Sequence, residues 1–584
     1  MKKLLLETSF SKIYIIGVIL ISLLIIGSYF SYAMFTVTKE KNNAISIVTG
    51  SLDYKLTVDG EETNTLTIPA NTTKEFIITL SNPNSIRARF NFYFISSGGL
   101  ASQTGYIMDC ETNSMPEAKG VNLEKSGTSG SSNVYKIMVE NNNNMEETIT
   151  LGVEVGLDYN DLSLPRNGNL FTEYVDIPNE PELSSGMIAV TYDGSNWVKA
   201  DTTNSNNSWY NYEEQKWANA VTVSSSTRST YNNASVGTVI NMNDIETMWV
   251  WIPRYSYTIG SSGGTNYYGK KGCYLESEPT KELPGEIDIV FVDTNVKHEG
   301  TARYNTSAGS REYYTPDAFT FDGEELSGFW VGKFEASSTT PDAVNGGGSN
   351  VNLDAMIKPD VMSWGYINLV DIHTVVRRMT SSSNRYGLST TYDSHITKNS
   401  EWGAGAYLFQ SKYGKLGNTD YTGTNKEIFQ GINYVTGLSS GEPTYQGNGT
   451  SYSYDVDING TGASTTGTIY GIYGMNGNRS DYVMGNYNKN LGNSSFSTLP
   501  DAKYYDLYTT TNVNTACNGN RCISHALDET SGWYNDIATF FTQTNVWLIR
   551  GGKSDYQDGT AGIFGYTPSD SRIGFRISLV TPGE

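Results

Sequence analysis

An uncharged segment near the amino terminus places the strongest constraint on this chain. Ile13 to Thr38 contains no charged side chain, and its apolar residues are densest in IYIIGVILISLLIIGSYF. A transmembrane helix needs about 20 mostly apolar residues, and the preceding Lys2 and Lys3 fit the positive-inside rule. Residues 1–33 are therefore predicted to direct export, as a signal peptide or a membrane anchor.

The fate of this leader has two readings. Ser31 and Ala33 are small residues at the two positions that a signal peptidase reads, so cleavage after Ala33 fits the sequence as well as a retained helix does. Both readings predict extracellular domains at the cell surface. A retained helix would in addition hold the protein in the membrane through this segment.

Length and charge limit the organisation and the partners of the chain. A single hydrophobic core rarely serves more than about 300 residues, so 584 residues imply several domains. There are 61 acidic and 40 basic residues, giving a net charge of −21, and no basic run interrupts them. This balance argues against a nucleic-acid partner. The 41 tyrosines and the low charged fraction of 17% favour β-strands joined by turns.

Alternating strands follow the leader and predict a β-sandwich over residues 34–175. In IRARFNFYF, the residues Ile86, Ala88 and Phe90 share one face, while Arg87 and Arg89 share the other. The order of SYAMF, TGSLDYKLTV and IPANTTKEFIITLSNPNS resembles the exported TasA and camelysin family of bacilli. The resemblance implies an exported sandwich, and some members of that family polymerise into biofilm matrix fibres.

A proline-containing polar run marks the next boundary. Residues 176–186 are predicted to be a linker. Residues 187–244 then form a small β module rich in tryptophan, and residues 245–584 form the last domain. Trp197, Trp209 and Trp217 are expected to be the core of this module, with a sugar-stacking surface as the alternative.

Five motifs in the last domain form a recognisable series. They are GFWVGKFEAS, TKNSEWGAGAYLFQSKYG, GIYGMNGNRSDYVMGNY, WLIRGG and GFRISL. In this order they resemble the formylglycine-generating enzyme family, also called the sulfatase-modifying factor family. The resemblance covers about residues 248–580 and implies an α+β domain with a C-type-lectin-like fold, whose terminal strands frame long loops.

Arg550 and Arg576 begin and end the segment that we call the closing segment, residues 550–576. The motifs RGG and GFR each combine an arginine with a nearby glycine, so a close backbone approach and several hydrogen bonds to carbonyls are expected, and both arginines are predicted to be structural clamps. In family members that oxidise a substrate cysteine, two thiols in the corresponding segment bind copper. Here the closing segment contains no cysteine, so formylglycine-generating activity is not expected.

Cysteines do occur nearby, at Cys517 and Cys522 in ACNGNRCIS. In an exported chain a short-loop disulfide between them is the leading reading, with free thiols or a metal site as alternatives. The family's calcium loop compares with YGMNGNRSDYV. The resemblance aligns its ligand positions with Gly477 and Asp481, on either side of Arg479, but Gly474 replaces a customary side-chain ligand. A turn without metal is the alternative to calcium.

Aromatic and polar residues crowd the closing segment and its surroundings. Tyrosine, aspartate, serine and glycine on a loop between rigid strands are typical of a recognition surface. The predicted ligand-binding residues are Asp555, Tyr556, Gln557, Asp558, Phe564, Tyr566, Arg572, Trp533 and Trp547.

The sequence therefore predicts an exported bacterial surface protein in which a lectin-like domain binds an extracellular glycan or protein and a β-sandwich serves as the stalk. A sulfatase-modifying-factor-like enzyme is one alternative. A structural subunit of a biofilm matrix or surface fibre is the other.

Overall fold

A computed structural model of the chain is β-rich, has few helices and divides into two compact units, Met1–Tyr174 and Val175–Glu584. The predicted leader helix at residues 1–33 lies outside the described residues. No helix within the described part of the chain is long and apolar enough to cross a membrane. The structure describes residues 36–39, 52–96, 105–109, 121–141, 144–157, 180–259, 261–262, 266–267, 280–295, 313–342, 345–418, 426–440, 451–511, 522–553, 561–570 and 573–581.

The described part of the smaller unit consists of antiparallel strands in two sheets that share one hydrophobic core. One sheet has the order β1-β9-β5-β7, with β3 also paired to β9, and the other has the order β2-β4-β8-β6. Leu56 and Ile78 of the second sheet and Leu66 and Phe90 of the first belong to the common core. The strands are β1 (Thr36–Lys39), β2 (Lys55–Val58), β3 (Thr65–Ile68), β4 (Thr72–Ser81), β5 (Ala88–Ser96), β6 (Gly105–Asp109), β7 (Val121–Leu123), β8 (Ser132–Asn141) and β9 (Glu147–Leu157).

The strand predicted from IRARFNFYF corresponds to β5, with differences at its start. Ala88 and Phe90 are fully buried as predicted. Ile86 precedes the strand and is exposed, whereas Arg89, predicted on the solvent face, is buried. β5 lies between β9 and β7 inside its sheet, so neighbouring strands cover both of its edges.

The larger unit contains two principal sheets and several two-stranded ribbons. Its described α-helices are α1 (Arg228–Asn232), α2 (Leu369–Arg377), α3 (Asn399–Phe409) and α4 (Asp457–Thr461). Its described strands are β10 (Met187–Tyr192), β11 (Trp197–Lys199), β12 (Asn219–Val223), β13 (Ile245–Pro253), β14 (Tyr255–Thr258), β15 (Ser261–Ser262), β16 (Asn266–Tyr267), β17 (Asp288–Phe291), β18 (Thr320–Phe321), β19 (Glu324–Glu325), β20 (Gly328–Gly332), β21 (Ser337–Ser338), β22 (Ala355–Met356), β23 (Asp393–Ile396), β24 (Leu438–Ser439), β25 (Tyr452–Ser453), β26 (Ser480–Tyr487), β27 (Asp506–Tyr508), β28 (Trp547–Gly551), β29 (Gly562–Thr567), β30 (Ile573–Phe575) and β31 (Ile577–Val580).

The seven-stranded sheet corrects the predicted division at residue 244. Its order is β11-β10-β12-β13-β20-β31-β23, so the tryptophan-rich stretch supplies three of its strands and is not a separate module. Trp197, Trp209 and Trp217 are almost completely buried, which corresponds to the core reading and not to a sugar-stacking surface. Backbone hydrogen bonds between β12 and β13 run across the predicted boundary.

Part of the predicted linker also belongs to the larger unit. The Ser184 hydroxyl accepts a hydrogen bond of 2.8 Å from the amide of Ser389, and the Ser185 hydroxyl donates one of 3.0 Å to the carbonyl of Gly387. Residues 184–186 are therefore docked on the larger unit. The prediction failed here because serine and glycine suit a docked turn as well as a free linker.

The second principal sheet carries the closing segment. Its order is β27-β26-β28-β29, and β30 pairs in parallel with β26. Arg576 is the single residue between β30 of this sheet and β31 of the seven-stranded sheet. The closing segment therefore connects the two principal sheets.

Candidate functional site

Arg550 fixes the start of the closing segment. Its side chain is completely buried, and its guanidinium donates to Asn399 Oδ1 at 2.8 Å, to the Phe564 carbonyl at 3.2 Å and to the His525 carbonyl at 2.7 Å. Burial lowers the pKa of Arg550 to about 10, so the group stays charged at neutral pH. These contacts give Arg550 the clamping role predicted for it.

Arg576 fixes the other end of the segment. It is completely buried and donates to the carbonyls of Gly332 at 2.8 Å and Tyr473 at 2.7 Å. Its Nε lies 3.4 Å from Asp481 Oδ2. Arg576 therefore joins the seven-stranded sheet to the sheet that contains β26.

A pocket opens where the closing segment leaves β28 and returns along β29. Its volume is about 90 Å³, enough for one small side chain or sugar substituent. Its lining residues combine apolar side chains, a phenol ring and hydroxyl groups, and they are Ile537, Ile549, Gly552, Gly565, Tyr566, Thr567 and Ser569. Such a mixture suits a small recognition subsite.

Four aromatic residues of the predicted ligand surface are buried. Trp533, Phe564 and Tyr566 are at most 1% exposed, and Trp547 is 5% exposed. The Trp533 and Phe564 rings pack against each other with centroids 5.1 Å apart, while the Trp547 indole donates to the Leu491 carbonyl at 3.0 Å. The prediction is therefore corrected for Trp533, Trp547 and Phe564, which belong to the core. Tyr566 is also a core residue, although part of it lines the pocket.

The remaining predicted ligand-binding residues are Asp555, Tyr556, Gln557, Asp558 and Arg572. All of them lie outside the described residues, so their role stays a prediction. The described residues that flank these positions form hydrogen bonds with the rest of the unit. Ser480 Oγ donates to Asp570 Oδ2, and Gln430 Nε2 donates to the Lys553 carbonyl at 3.3 Å.

The residues compared with the calcium loop have a different charge arrangement. Asp481 is 1% exposed and faces Arg576. Burial raises the pKa of Asp481 to about 6, although the Arg576 charge opposes the shift. Glu335 accepts from the Arg479 amide at 3.2 Å, and burial together with the Asp481 charge raises the pKa of Glu335 well above its ordinary range.

This arrangement fits calcium poorly. The buried side-chain oxygens without a hydrogen-bond partner in this loop are the two of Asp481 and the Oδ1 atoms of Asn476 and Asn478, whereas calcium takes six to eight oxygen ligands. A guanidinium already faces the Asp481 carboxylate, and the described residues contain no group of three His, Cys, Asp or Glu side chains that could hold a metal ion. We therefore assign no metal to Gly477, Arg479 and Asp481.

Cys522 is buried and disulfide-bonded. Cys517 lies outside the described residues, so the pairing of these two cysteines stays a prediction. A sulfur in a disulfide is not a thiolate, and copper in the oxidising family members is held by thiolates. Cys522 in this state does not supply such a ligand.

Two buried clusters of titratable side chains were not predicted, because their members meet only through the tertiary fold. Glu427 and Asp536 form a hydrogen-bonded carboxyl pair beneath β29. His395 Nε2 lies 2.8 Å from Glu401 Oε1, and its Nδ1 lies 3.4 Å from Asp393 Oδ1. The hydroxyl of the intervening Ser394 donates to the Val376 carbonyl, so these residues do not form a nucleophilic triad.

Comparisons with known proteins assign no family to this arrangement. No protein-family model matches the chain, and no curated protein matches it either.

Proposed function

We propose that this chain is an exported bacterial cell-surface protein whose larger unit, with a C-type-lectin-like fold, binds an extracellular ligand at the closing segment. The observation that carries the proposal is the pocket of about 90 Å³ at the base of that segment. It lies beside β28 and β29, which the buried Arg550 side chain joins through its hydrogen bond to the Phe564 carbonyl. A rigid frame that presents a variable loop is a common basis for recognition.

Chemistry at the same place favours binding over cysteine oxidation. The closing segment contains no cysteine, and Cys522 is part of a disulfide. The buried side chains of Arg550 and Asn399 bond to each other and to the backbone carbonyl of His525. They therefore serve the architecture, and the proposed function does not include formylglycine generation.

The test measures binding of the purified full-length chain to glycan and cell-surface protein arrays. Thr567→Trp should fill the pocket and abolish binding, and Tyr556→Ala with Asp558→Ala should weaken it by about tenfold, as expected for hot-spot residues. Thr544→Trp is the matched control, because Thr544 is exposed in a turn away from the pocket lining.

Unchanged binding both in Thr567→Trp and in the variants at Tyr556 and Asp558 would contradict the proposed site. A separate assay incubates the full-length chain with copper and a cysteine-containing peptide. We expect no formylglycine product, and sustained turnover would contradict the proposal of a binding protein.

A further inference from the structure

A second feature of the larger unit is an exposed tyrosine in a strained backbone conformation. Tyr366 is 60% exposed and has a φ of +57°. Among the residues whose exposure the structure describes, no other aromatic side chain is classed as exposed. A bulky side chain with positive φ is a genuine outlier, and such strain is often retained where it serves a function.

Tyr434 repeats this conformation in a neighbouring turn. Its φ is +55°, and that of the preceding Asn433 is +63°. The two turns are joined because the amide of Ser363 donates to the Tyr434 carbonyl at 2.9 Å. The structure therefore contains two strained tyrosines on adjacent backbone segments.

Arg479 lies behind both tyrosine rings. Its guanidinium carbon is 4.8 Å from the Tyr434 ring centroid and 5.9 Å from that of Tyr366. Arg479 is 2% exposed, and its Nε donates to the Ser363 carbonyl at 3.1 Å. A Cβ on Gly365 would come within 2.5 Å of Arg479 Nη1, so glycine is needed beside Tyr366 for this approach. The guanidinium thus holds the two rings from the protein side.

The neighbouring turn that contains Tyr434 carries amide and hydroxyl groups. Asn433 is exposed, and its amide donates to the Ser451 hydroxyl at 3.0 Å. An isolated aromatic face beside amide and hydroxyl groups matches the apolar C–H face and the hydroxyl groups of a sugar. A protein hot spot would instead be surrounded by further apolar residues. The net charge of −21 disfavours polyanions.

We propose that Tyr366, Tyr434 and Asn433 form a saccharide-binding site that takes a neutral sugar ring on the exposed face of Tyr366. The site shares no residue with the pocket of the closing segment, so it goes beyond the proposed function and stands or falls separately. The backbone strain at Tyr366 places its ring over the Arg479 guanidinium and leaves the outer face to the ligand.

The test titrates the full-length chain with neutral hexasaccharides of glucose, galactose, mannose and N-acetylglucosamine, followed by saturation-transfer NMR. At least one of these should bind. Tyr366→Ala should weaken that binding by about tenfold, the scale of one aromatic stacking contact, whereas Tyr366→Phe should retain it.

Tyr366→Gly separates recognition from folding, because glycine relieves the positive φ while removing the ring. We expect it to lose saccharide binding and to have a Tm at or above that of the unaltered chain. Leu507→Ala, at another exposed apolar residue, is the matched control and should bind normally. Thr567→Trp should also bind the saccharide normally, which distinguishes this site from the pocket.

The proposal is overturned if none of the four hexasaccharides binds, or if Tyr366→Ala binds as well as the unaltered chain. Loss of saccharide binding in Thr567→Trp would place the sugar in the pocket instead and would also overturn the proposal.

Discussion

The carboxyl group of Glu427 donates a hydrogen bond to the carboxylate of Asp536 in the interior of the larger unit. Asp536 is the acceptor because its Oδ2 also receives the Phe564 amide at 2.9 Å. Burial and the neighbouring acid raise the pKa of Glu427 well above its ordinary range, and burial also raises that of Asp536. The pair therefore retains a proton at a pH where an exposed pair would have lost it.

The first prediction follows from this proton. The unfolded chain ionises the two groups near 4.5 and 3.8, whereas the folded chain holds the proton to higher pH. The pair therefore makes the free energy of unfolding fall as pH rises above about 4.5, by up to about 1.4 kcal/mol per pH unit. Glu427→Gln keeps a hydrogen-bond donor for Asp536 but removes the titratable proton of residue 427. It should therefore flatten the pH dependence of Tm above about pH 4.5.

Glu214→Gln is the control for this experiment, because Glu214 is exposed. Its Tm should follow the pH profile of the unaltered chain. A Glu427→Gln profile as steep as that of the control would contradict the shared proton.

The second prediction concerns Lys333, which is completely buried. Its Nζ donates to Asn219 Oδ1 at 2.9 Å and to the carbonyls of Ile469 at 2.6 Å and Gly471 at 3.0 Å. Lys333→Met would leave three buried acceptors without their donor. We expect a loss of about 3–5 kcal/mol in the free energy of unfolding, measured by urea denaturation.

Lys216→Met is the matched control for that substitution. Lys216 also donates to backbone carbonyls but is only partly buried, and its replacement should cost less than about 1 kcal/mol because water can replace the lost contacts. Equal losses in the free energy of unfolding for the two variants would contradict the argument that burial makes the Lys333 contacts costly to lose.

The third prediction separates guanidinium geometry from positive charge at Arg550. Arg550→Lys keeps the charge but cannot reach Asn399, Phe564 and His525 together, so it should cost about 3 kcal/mol. Thermal unfolding provides the measurement. Arg385→Lys, in a partly exposed ion pair with Glu246, should cost under about 1 kcal/mol. An Arg550→Lys variant with the same stability as the unaltered chain would contradict the clamping role.

The fourth prediction concerns the bonding partner of Cys522. Peptide mapping without reduction should recover Cys522 linked to Cys517. Because the loop is short, Cys517→Ser should lower the free energy of unfolding by about 2 kcal/mol. A peptide that links Cys522 to Cys110 or Cys273 would contradict this pairing.

Parts of the fold were predictable because a local pattern had a single reading. The apolar residues on both faces of GFWVG are typical of a buried strand, and every residue of β20 is buried. The glycines of the RGG and GFR motifs indicated close backbone contacts at Arg550 and Arg576, and both side chains bond to carbonyls. Local sequence was sufficient in these cases because the partner is backbone, which any residue supplies.

Other parts were not predictable because they depend on distant neighbours. Trp533 and Phe564 suit a ligand surface or a core equally well, and their mutual contact decides between these. The pairing of Glu427 with Asp536 joins separate parts of the sequence. The conformation of Tyr366 is also invisible in the sequence, since tyrosine rarely adopts positive φ. An adjacent glycine, Gly365, was its one local sign.

The position of β31 has a consequence for the order of assembly during synthesis. Residues 577–580 form an interior strand between β20 and β23. In a ribosome-bound chain that ends before them, the facing edges of β20 and β23 therefore lack the strand with which both of them pair. Until β31 is inserted, the gap between those edges leaves unpaired amides and carbonyls open to chaperones and proteases.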